Sequence, residues 1–500
     1  MNILTIDQNP KKLITWILIL TFIVCCPMLF NGFVNYDDPV ILLDNPVVQN
    51  FSLESTLDIF HKHFEGHYSR FAPLTFILYS FIHHCAGFKA SAFHLVSLLL
   101  HLAATAVVFA LAQNLTKNVK TGTLCALLFG IHPVHAETIA WTAALSYPLS
   151  TLFFFLSLLG FIKSLDRQSA INRPLCLSFG AFILSGLAFA PVALTLPFAL
   201  TGLCLIYKTP GTTRKIISLI PFYLVSAALL GLSFLAAKHG DLITNPYFSN
   251  YSLGERFLLS GTALRLYITQ IILPYQFGPV YPIGYYMNSA HLLWTLLGLC
   301  FFTILLFALR KSAMSKHALF GLTFFVFTII PFLHFYSTSD SITQDRYTYL
   351  ASFGIIFSIS SLIIGWLERR ADIFEKRQAL ILITGTLIVL YCATVQVTQI
   401  LIWNNSRTMW SAVIQQFPRA YPAYVSRARH YLEQFQFDKA DKDLTEALSL
   451  EPDNIEALFL KGLVLEAGGH PQTARRFYEA TLAADPEHPE ARARLNQLTE

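Results

Sequence analysis

Along most of the chain, apolar positions fuse into runs and do not alternate with polar ones. LITWILILTFIVCCPMLF (13–30), IISLIPFYLVSAALLGLSFLAA (from Ile216), HLLWTLLGLCFFTILLFAL (291–309) and ILITGTLIVLYCATVQVTQILIW (381–403) are almost free of charge. Each is about 18 residues or longer, the length of an α-helix that crosses a bilayer. Together with shorter apolar stretches they predict about eleven crossings, near 13–30, 94–113, 121–133, 149–163, 175–190, 191–207, 216–236, 290–309, 318–336, 347–366 and 379–402. Residues 72–87 are expected to lie along the surface. The first run lacks a small-residue cleavage site and continues into Asn31-Gly32-Phe33-Val34, so it is expected to remain as an anchor.

The pattern changes near Trp403. Beyond it charges, Pro and Ala take over, and the sequence repeats at an offset of 34 residues, pairing Ala428 with Gly462, Ala440 with Ala474, Leu448 with Leu482 and Pro452 with Pro486. Small residues where two helices pack closely, and a Pro that closes the second, give a helix–turn–helix unit that resembles the tetratricopeptide repeat. The expected fold is all-α: a transmembrane helical bundle over 1–403, with an outer loop at 31–93 carrying juxtamembrane helices, then an α-solenoid over 404–500. Its repeats fall at about 421–454 and 455–488, with a cap at 489–500.

Composition agrees with the pattern. The chain has 54% apolar and only 13% charged residues, where soluble domains carry about a quarter charged. The net charge of +5 is not a nucleic-acid signature, because its sources are spread over short loops. With the N-terminus on the cytoplasmic side, Lys117/Lys120, Lys163/Arg167/Arg173, Lys208/Arg214/Lys215, Arg310/Lys311/Lys316 and Arg369/Arg370/Lys376/Arg377 all fall inside. The outer loop 31–93 holds six acids against three Lys or Arg. The repeats are then expected on the outer face of a membrane, read as a bacterial inner membrane. The eight cysteines show no C-x-x-C spacing and are read as core packing.

That topology gathers the polar constellations on one face: Asp37-Asp38, RFAPL (70–74), HPVHAE (132–137), VYP (280–282) with Tyr281, and DRYTYL (345–350). Asp37-Asp38 reads either as chemistry or as an Asx-type turn closing a helix exit. His132, His135 and Glu137 lie within six residues, but Pro133 breaks the spacing that would align them on a metal, so they are read as ordering the loop, contacting substrate or ending a helix. HKHFEGH (61–67) puts His61, His63, Glu65 and His67 on one side of an extended strand, and is read as a solvated loop. No metal site is expected.

NYDDPVILLDNPVV, RFAPLTFILYS, AFHLVSLLLHLAAT, LLFGIHPVHAETIAW, VALTLPF, QDRYTYLASFG and TQILIWNNS, in that order and followed by repeats, resemble membrane O-mannosyltransferase-like proteins with tetratricopeptide tails, of the type C glycosyltransferases. The resemblance implies a polyprenyl-phosphate sugar as donor, a protein or polymer hydroxyl as acceptor, inversion at the anomeric carbon, Asp37 as general base and Asp38 as its neighbour. Close like charges would raise the pKa of one of the two. It also implies cationic contacts to the departing phosphate, for which Arg346 and Arg70 are the candidates; Arg346 could instead pair with Asp345 or anchor its helix. Two positions depart from the pattern: Tyr147 stands where an acid is usual and Ala190 where a Lys is common, which leaves mannose open as the sugar. The competing reading is a non-catalytic anchored scaffold whose repeats assemble envelope proteins.

Overall fold

The computed structural model describes residues 9–64, 71–165, 172–208, 211–239, 251–286, 293–298, 300, 303, 315–334 and 341–498. Among them the secondary structure is helical, with one isolated bridge between Pro282 and Ser341. Long helices are α1 (Pro10–Cys25), α2 (Leu53–Phe64), α3 (Pro73–Ala86), α4 (Ala90–Thr116), α5 (Val119–Ile131), α6 (Ser146–Ser164), α7 (Arg173–Ala188), α8 (Leu196–Ile206), α9 (Ile220–His239), α10 (Leu253–Ile272), α11 (Ser315–Ile329), α12 (Thr348–Arg369) and α13 (Ala371–Ile402). Asn side chains start several of them: Asn9 accepts from the Lys11 amide, and Asn118 from those of Lys120 and Thr121.

The expected count of eleven crossings does not hold. Among the described residues, six helical stretches are long and apolar enough to cross a membrane: Pro10–Phe30, Ala90–Thr116, Thr142–Ser164, Thr212–Ala236, Asp345–Arg369 and Arg377–Ile402. A seventh is possible if Val119–Ile131 and Pro133–Ala140, bent by 49°, form one broken span. Residues 175–190, 191–207 and 318–336 form the shorter helices Arg173–Ala188, Ala190–Ile206 and Lys316–Phe332. At 1.5 Å per residue such helices reach about 25 Å, less than the ~30 Å hydrocarbon layer. Prolines explain the miscount: Pro133, Pro191 and Pro331 end or restart helices inside stretches that stay apolar. The run at 291–309 lies largely outside the described residues.

Small residues and hydroxyls lock the helices together. Between α6 and α7, Ser150 and Ser185 donate reciprocally to each other's carbonyl at 2.9 Å, and Ser157 and Ser178 do the same at 2.7 and 2.8 Å. Seven residues separate the partners on each helix, so both pairs share one seam; with little water to compete, such bonds are a favoured membrane glue. Between α11 and α12 the backbones touch, because a Cβ on Gly354 would overlap the Gly321 carbonyl and one on Gly321 the Gly354 carbonyl. Lys120 bridges to Glu368 at 3.5 Å, joining the α4–α5 turn to the far end of α12. Lys163 and Arg369 sit in the last turns of their helices at that same end.

The C-terminal region contains α14 (Ser406–Gln416), α15 (Tyr421–Glu433), α16 (Phe437–Leu450), α17 (Ile455–Ala467), α18 (Pro471–Ala484) and α19 (Pro489–Gln497). Met409, Trp410, Val413 and Phe417 of α14 belong to the core of the membrane region. From Val425 onward a second core forms around Ala428, Ala440, Leu444, Ala447, Leu460, Ala474 and Tyr478. The repeat shows in the backbone too: Asn454 and His488, 34 apart, cap α17 and α19. Gly469 lies at φ +77° between α17 and α18, and its counterpart Phe435 takes φ +56° between α15 and α16 while leaving its ring exposed. A side chain in that region costs roughly 1–2 kcal/mol. Phe435→Gly should therefore raise the stability of the tail by about 1 kcal/mol in denaturant unfolding; an unchanged or lower midpoint would show that the Phe435–Phe437 contact, 6.3 Å between rings, outweighs the strain.

Candidate active site

Three segments meet at one end of the bundle: residues 31–38 after α1, 132–145 after α5, and 341–347 before α12. At their centre lies Arg346, 2% exposed. Its Nη1 donates to Glu137 Oε1, and its backbone N–H donates to the other carboxylate oxygen at 3.2 Å. The guanidinium lies over the Trp141 ring at 4.7 Å and the Tyr347 ring at 5.2 Å. Trp141 stacks on Trp403 at 5.4 Å and meets Tyr36 at 5.2 Å. Arg346 Nε is buried without a hydrogen-bond partner among the described residues. A planar cation held by one carboxylate and two rings thus keeps an N–H for a further acceptor.

Asp345 does not pair with Arg346. Its Oδ1 receives Gln270 Nε2 at 2.9 Å and the Tyr281 hydroxyl at 2.7 Å. Tyr281 is fixed further: its hydroxyl accepts from the Gly278 amide at 2.8 Å and its own amide donates to Ser341 Oγ at 2.8 Å. Burial pushes the Tyr281 phenol above its usual range, so it serves as a donor here.

The two adjacent aspartates part company. Asp38 is 1% exposed; its Oδ2 accepts from the Val34 amide at 2.8 Å and its Oδ1 from the Ala143 amide at 3.1 Å. It staples the loop after α1 to the turn beyond Trp141. Burial raises its pKa to about 6, opposed by those amides, and the charge of Asp37 is the smallest cause. Asp37 is half-buried, and its carboxylate has no hydrogen-bond or ion-pair partner among the described residues. It shares the surroundings of the Tyr36 hydroxyl with Arg346, Glu137 and Tyr347, and burial lifts that phenol to about 12.

The histidines of HPVHAE act on the backbone. His132 Nδ1 accepts from the Val134 amide at 3.2 Å, so its Nε2 carries the proton and donates to the Ile271 carbonyl at 2.9 Å. His135 donates from Nδ1 to the Phe129 carbonyl at 2.9 Å and meets Ser352 Oγ at 2.9 Å through Nε2. His135 thus ties off a carbonyl left open where the helix bends, and His132 one at the C-terminal end of α10. No group of three His, Cys, Asp or Glu side chains that could hold a metal is found among the described residues. Arg70, His67 and Glu65 lie outside the described residues. The chain re-enters at Phe71, whose carbonyl accepts from the Ala190 amide at 3.3 Å.

Tyr147 and Ala190 are neighbours through Phe189. The Tyr147 ring lies 4.8 Å from Phe189, 6.0 Å from Tyr347 and 6.3 Å from Phe332, and Ala190 is fully buried. Aromatic packing behind Tyr347 fills this corner, and no charge is left there without a counter-charge. Sequence reading missed Gln270, Trp141, Trp403, Trp410 and Asn35. Each gains its role from a partner far along the chain, and the only local signal was the unusual Trp and Asn in TQILIWNNS.

Comparison with known proteins fits this arrangement. Residues 431–498 match the tetratricopeptide repeat family model. The chain is similar to human protein O-mannosyl-transferase TMTC4, 30% identical over 29% of this chain and 22% of that protein. It is similar to human protein O-mannosyl-transferase TMTC3, at 26% over 36% of this chain and 20% of that one. The likeness to human protein O-mannosyl-transferase TMTC1 runs longer, 22% identical over 78% of this chain and 49% of the relative. The chain thus spans half or less of the length of the curated relatives it matches, and no solved structure matches it. What these likenesses identify is an integral membrane protein with a tetratricopeptide tail, similar to protein O-mannosyl-transferases.

Proposed function

We propose that this chain is a membrane glycosyltransferase that moves a sugar from a polyprenyl-phosphate donor to a hydroxyl of a protein or envelope polymer. In this reading Asp37 takes the proton of the acceptor hydroxyl as its oxygen bonds to the anomeric carbon. The bond from that carbon to the phosphate oxygen breaks with inversion, and polyprenyl phosphate leaves. One observation carries the reading: of two adjacent carboxylates, Asp38 is held by two backbone amides, while Asp37, beside Tyr36, has no partner among the described residues. A turn that needed both acids for structure would bind both.

Arg346, which with that carboxylate acts on the Tyr36 hydroxyl, keeps its Nε–H for an acceptor such as a phosphate oxygen. Glu137 offsets its charge, which a buried cation requires in an apolar bundle. An anchored scaffold would have no use for a buried Arg–Glu pair ringed by Tyr36, Trp141 and Tyr347. The sugar in this reading is a hexose, with mannose the first to test because the chain is similar to protein O-mannosyl-transferases. The repeats hold a protein, either the acceptor or a docking partner. In this reading both the site and the repeats face the outside of a bacterial inner membrane, with the N-terminus cytoplasmic; their sharing one end of the bundle, opposite the basic Lys120 and Arg369, supports it.

Two outcomes are expected. With mannosyl and glucosyl polyprenyl phosphates as donors, Asp37→Asn should lower transfer by about 10²- to 10⁴-fold while the protein still inserts; transfer within about twofold of the parent would end the assignment of the base. Stability should also depend on pH through Asp38, whose pKa rises from 3.8 to about 6 in the fold. Below about pH 4 the proton is bound in both states and the folded state's preference for it counts in full. As pH rises through about 6 the folded state loses that proton too, and the contribution disappears. Thermal unfolding in detergent should show a loss of up to about 3 kcal/mol across this window, absent from Asp38→Asn; parallel profiles would contradict it.

A further inference from the structure

The loop that carries Asp37 is held by the C-terminal region. Asn35, two residues before Asp37, spends three of its four hydrogen-bonding groups there, all but its backbone carbonyl. Its amide donates to Ser406 Oγ at 2.9 Å, its Nδ2 donates to the Ser426 carbonyl at 2.9 Å, and its Oδ1 accepts from Trp410 Nε1 at 2.8 Å. Those partners lie on α14 and α15, some 370 to 390 residues along the chain. The Gly32 amide donates to the Asn404 carbonyl at 2.8 Å and Asn31 Nδ2 to the Ile400 carbonyl at 2.9 Å. The Tyr36 ring meets Trp410 edge-on at 5.6 Å.

The same helix braces the opposite wall. Phe417, at the end of α14, packs on Tyr281 at 6.4 Å and on Tyr285 at 5.1 Å. Gly278, whose amide bonds the Tyr281 hydroxyl, lies against the Gln416 side chain, since a Cβ there would come within 2.6 Å of Gln416 Oε1 and push that side chain aside. Trp403 completes the stack Arg346–Trp141–Trp403. Residues 403–426 therefore touch the Asp37 loop, the Arg346 stack and the Asp345–Tyr281 network at once.

We propose that α14 and α15 are a built-in clamp that positions Asp37, with Asn35 as the positioning residue and Trp410 as its anchor. The catalytic role of the clamp rests on the reading of Asp37 as the base; its structural part does not. A backbone held at three points beside the reacting carboxylate loses little entropy when the acceptor arrives, and small misplacements of a reacting group are costly in rate. Because Ser426 lies on the first helix of the repeats, a protein seated on them that shifts α15 shifts the Asp37 loop with it.

The test uses the full-length protein, with Asn35→Ala, Trp410→Phe, the double variant and Asp37→Asn. Hydrogen exchange of 31–38 is measured on protein in nanodiscs, and hexose on envelope proteins is measured by mass spectrometry in a deletion strain complemented at matched membrane levels. Asn35→Ala should speed exchange of 31–38 at least tenfold and cut hexosylation about tenfold, with exchange of 455–497 unchanged. Trp410→Phe, which keeps the ring and loses the N–H, should give about a threefold loss. The double variant should lose no more than Asn35→Ala, as two ends of one contact must; general damage to the fold would add. Exchange within twofold of the parent in both single variants overturns the clamp, as does full hexosylation in both while Asp37→Asn has lost it. If Asp37→Asn keeps hexosylation, the base assignment falls and exchange alone decides the clamp. Should Asn35→Ala fail to insert, Trp410→Phe decides the same question.

Discussion

The buried pair of Arg346 and Glu137 is the constraint around which the rest of this end of the bundle is arranged. A lone guanidinium among apolar helices is expensive, and removing one partner of such a pair typically costs 3–5 kcal/mol. Here the guanidinium meets the Glu137 carboxylate through Nη1 and two aromatic faces, and the backbone N–H of Arg346 holds the other carboxylate oxygen. Glu137 and Trp141 come from the segment after α5, some two hundred residues before Arg346, and Tyr347 from Arg346's own segment. The helix bend after Ile131 must place Glu137 opposite Arg346; His135 ties the bend's Phe129 carbonyl, and His132 holds its Val134 amide while anchoring it to the Ile271 carbonyl of α10. The stack on Trp141 and Trp403 then pulls the end of α13 against the same point. A charge that has to be neutralised in a low dielectric thus sets the positions of several loops that have no helical hydrogen bonding of their own.

The same economy governs the apolar body. Hydrocarbon gives no hydrophobic force between helices, so their association depends on close backbone contact and shared hydroxyls. The seryl seam of α6 and α7 and the Gly321–Gly354 crossing of α11 and α12 are the two solutions this chain uses. They stiffen the scaffold from which the site loops hang, and those loops can hold irregular shapes because buried amides find carboxylates there. Asp38 is the clearest case. Its oxygens replace the helix that the chain has just left, and its ionisation is costly enough for the carboxyl to be poised near neutrality.

The tail is not a separate module joined by a tether. Its first helix is part of the membrane core through Met409, Trp410 and Val413, and only from Val425 do the repeats close on themselves. A solenoid needs a cap at each end to cover its open face. At the N-terminal end the membrane region itself takes part in covering it, which is why the loop bearing Asp37 and the first repeat helix share hydrogen bonds.

The sequence by itself determined the helical class, the membrane character and the 34-residue repeat, because each is a local periodicity or a run length that any window of the chain displays. It also marked Asp37, Asp38, Glu137, Tyr281, Asp345 and Arg346 as polar residues in an apolar chain. The number of crossings was beyond it, since hydropathy does not register where Pro133, Pro191 and Pro331 stop a helix within an apolar run. Partnership was beyond it as well. That Arg346 pairs with Glu137 and not with Asp345, that Asp38 reaches the Ala143 amide while Asp37 finds no partner among the described residues, and that Asn35 reaches Trp410 and Ser426 are facts about residues more than a hundred positions apart. Only tertiary structure decides such pairs, because a hydrogen bond depends on distance in space and leaves no periodic trace along the chain.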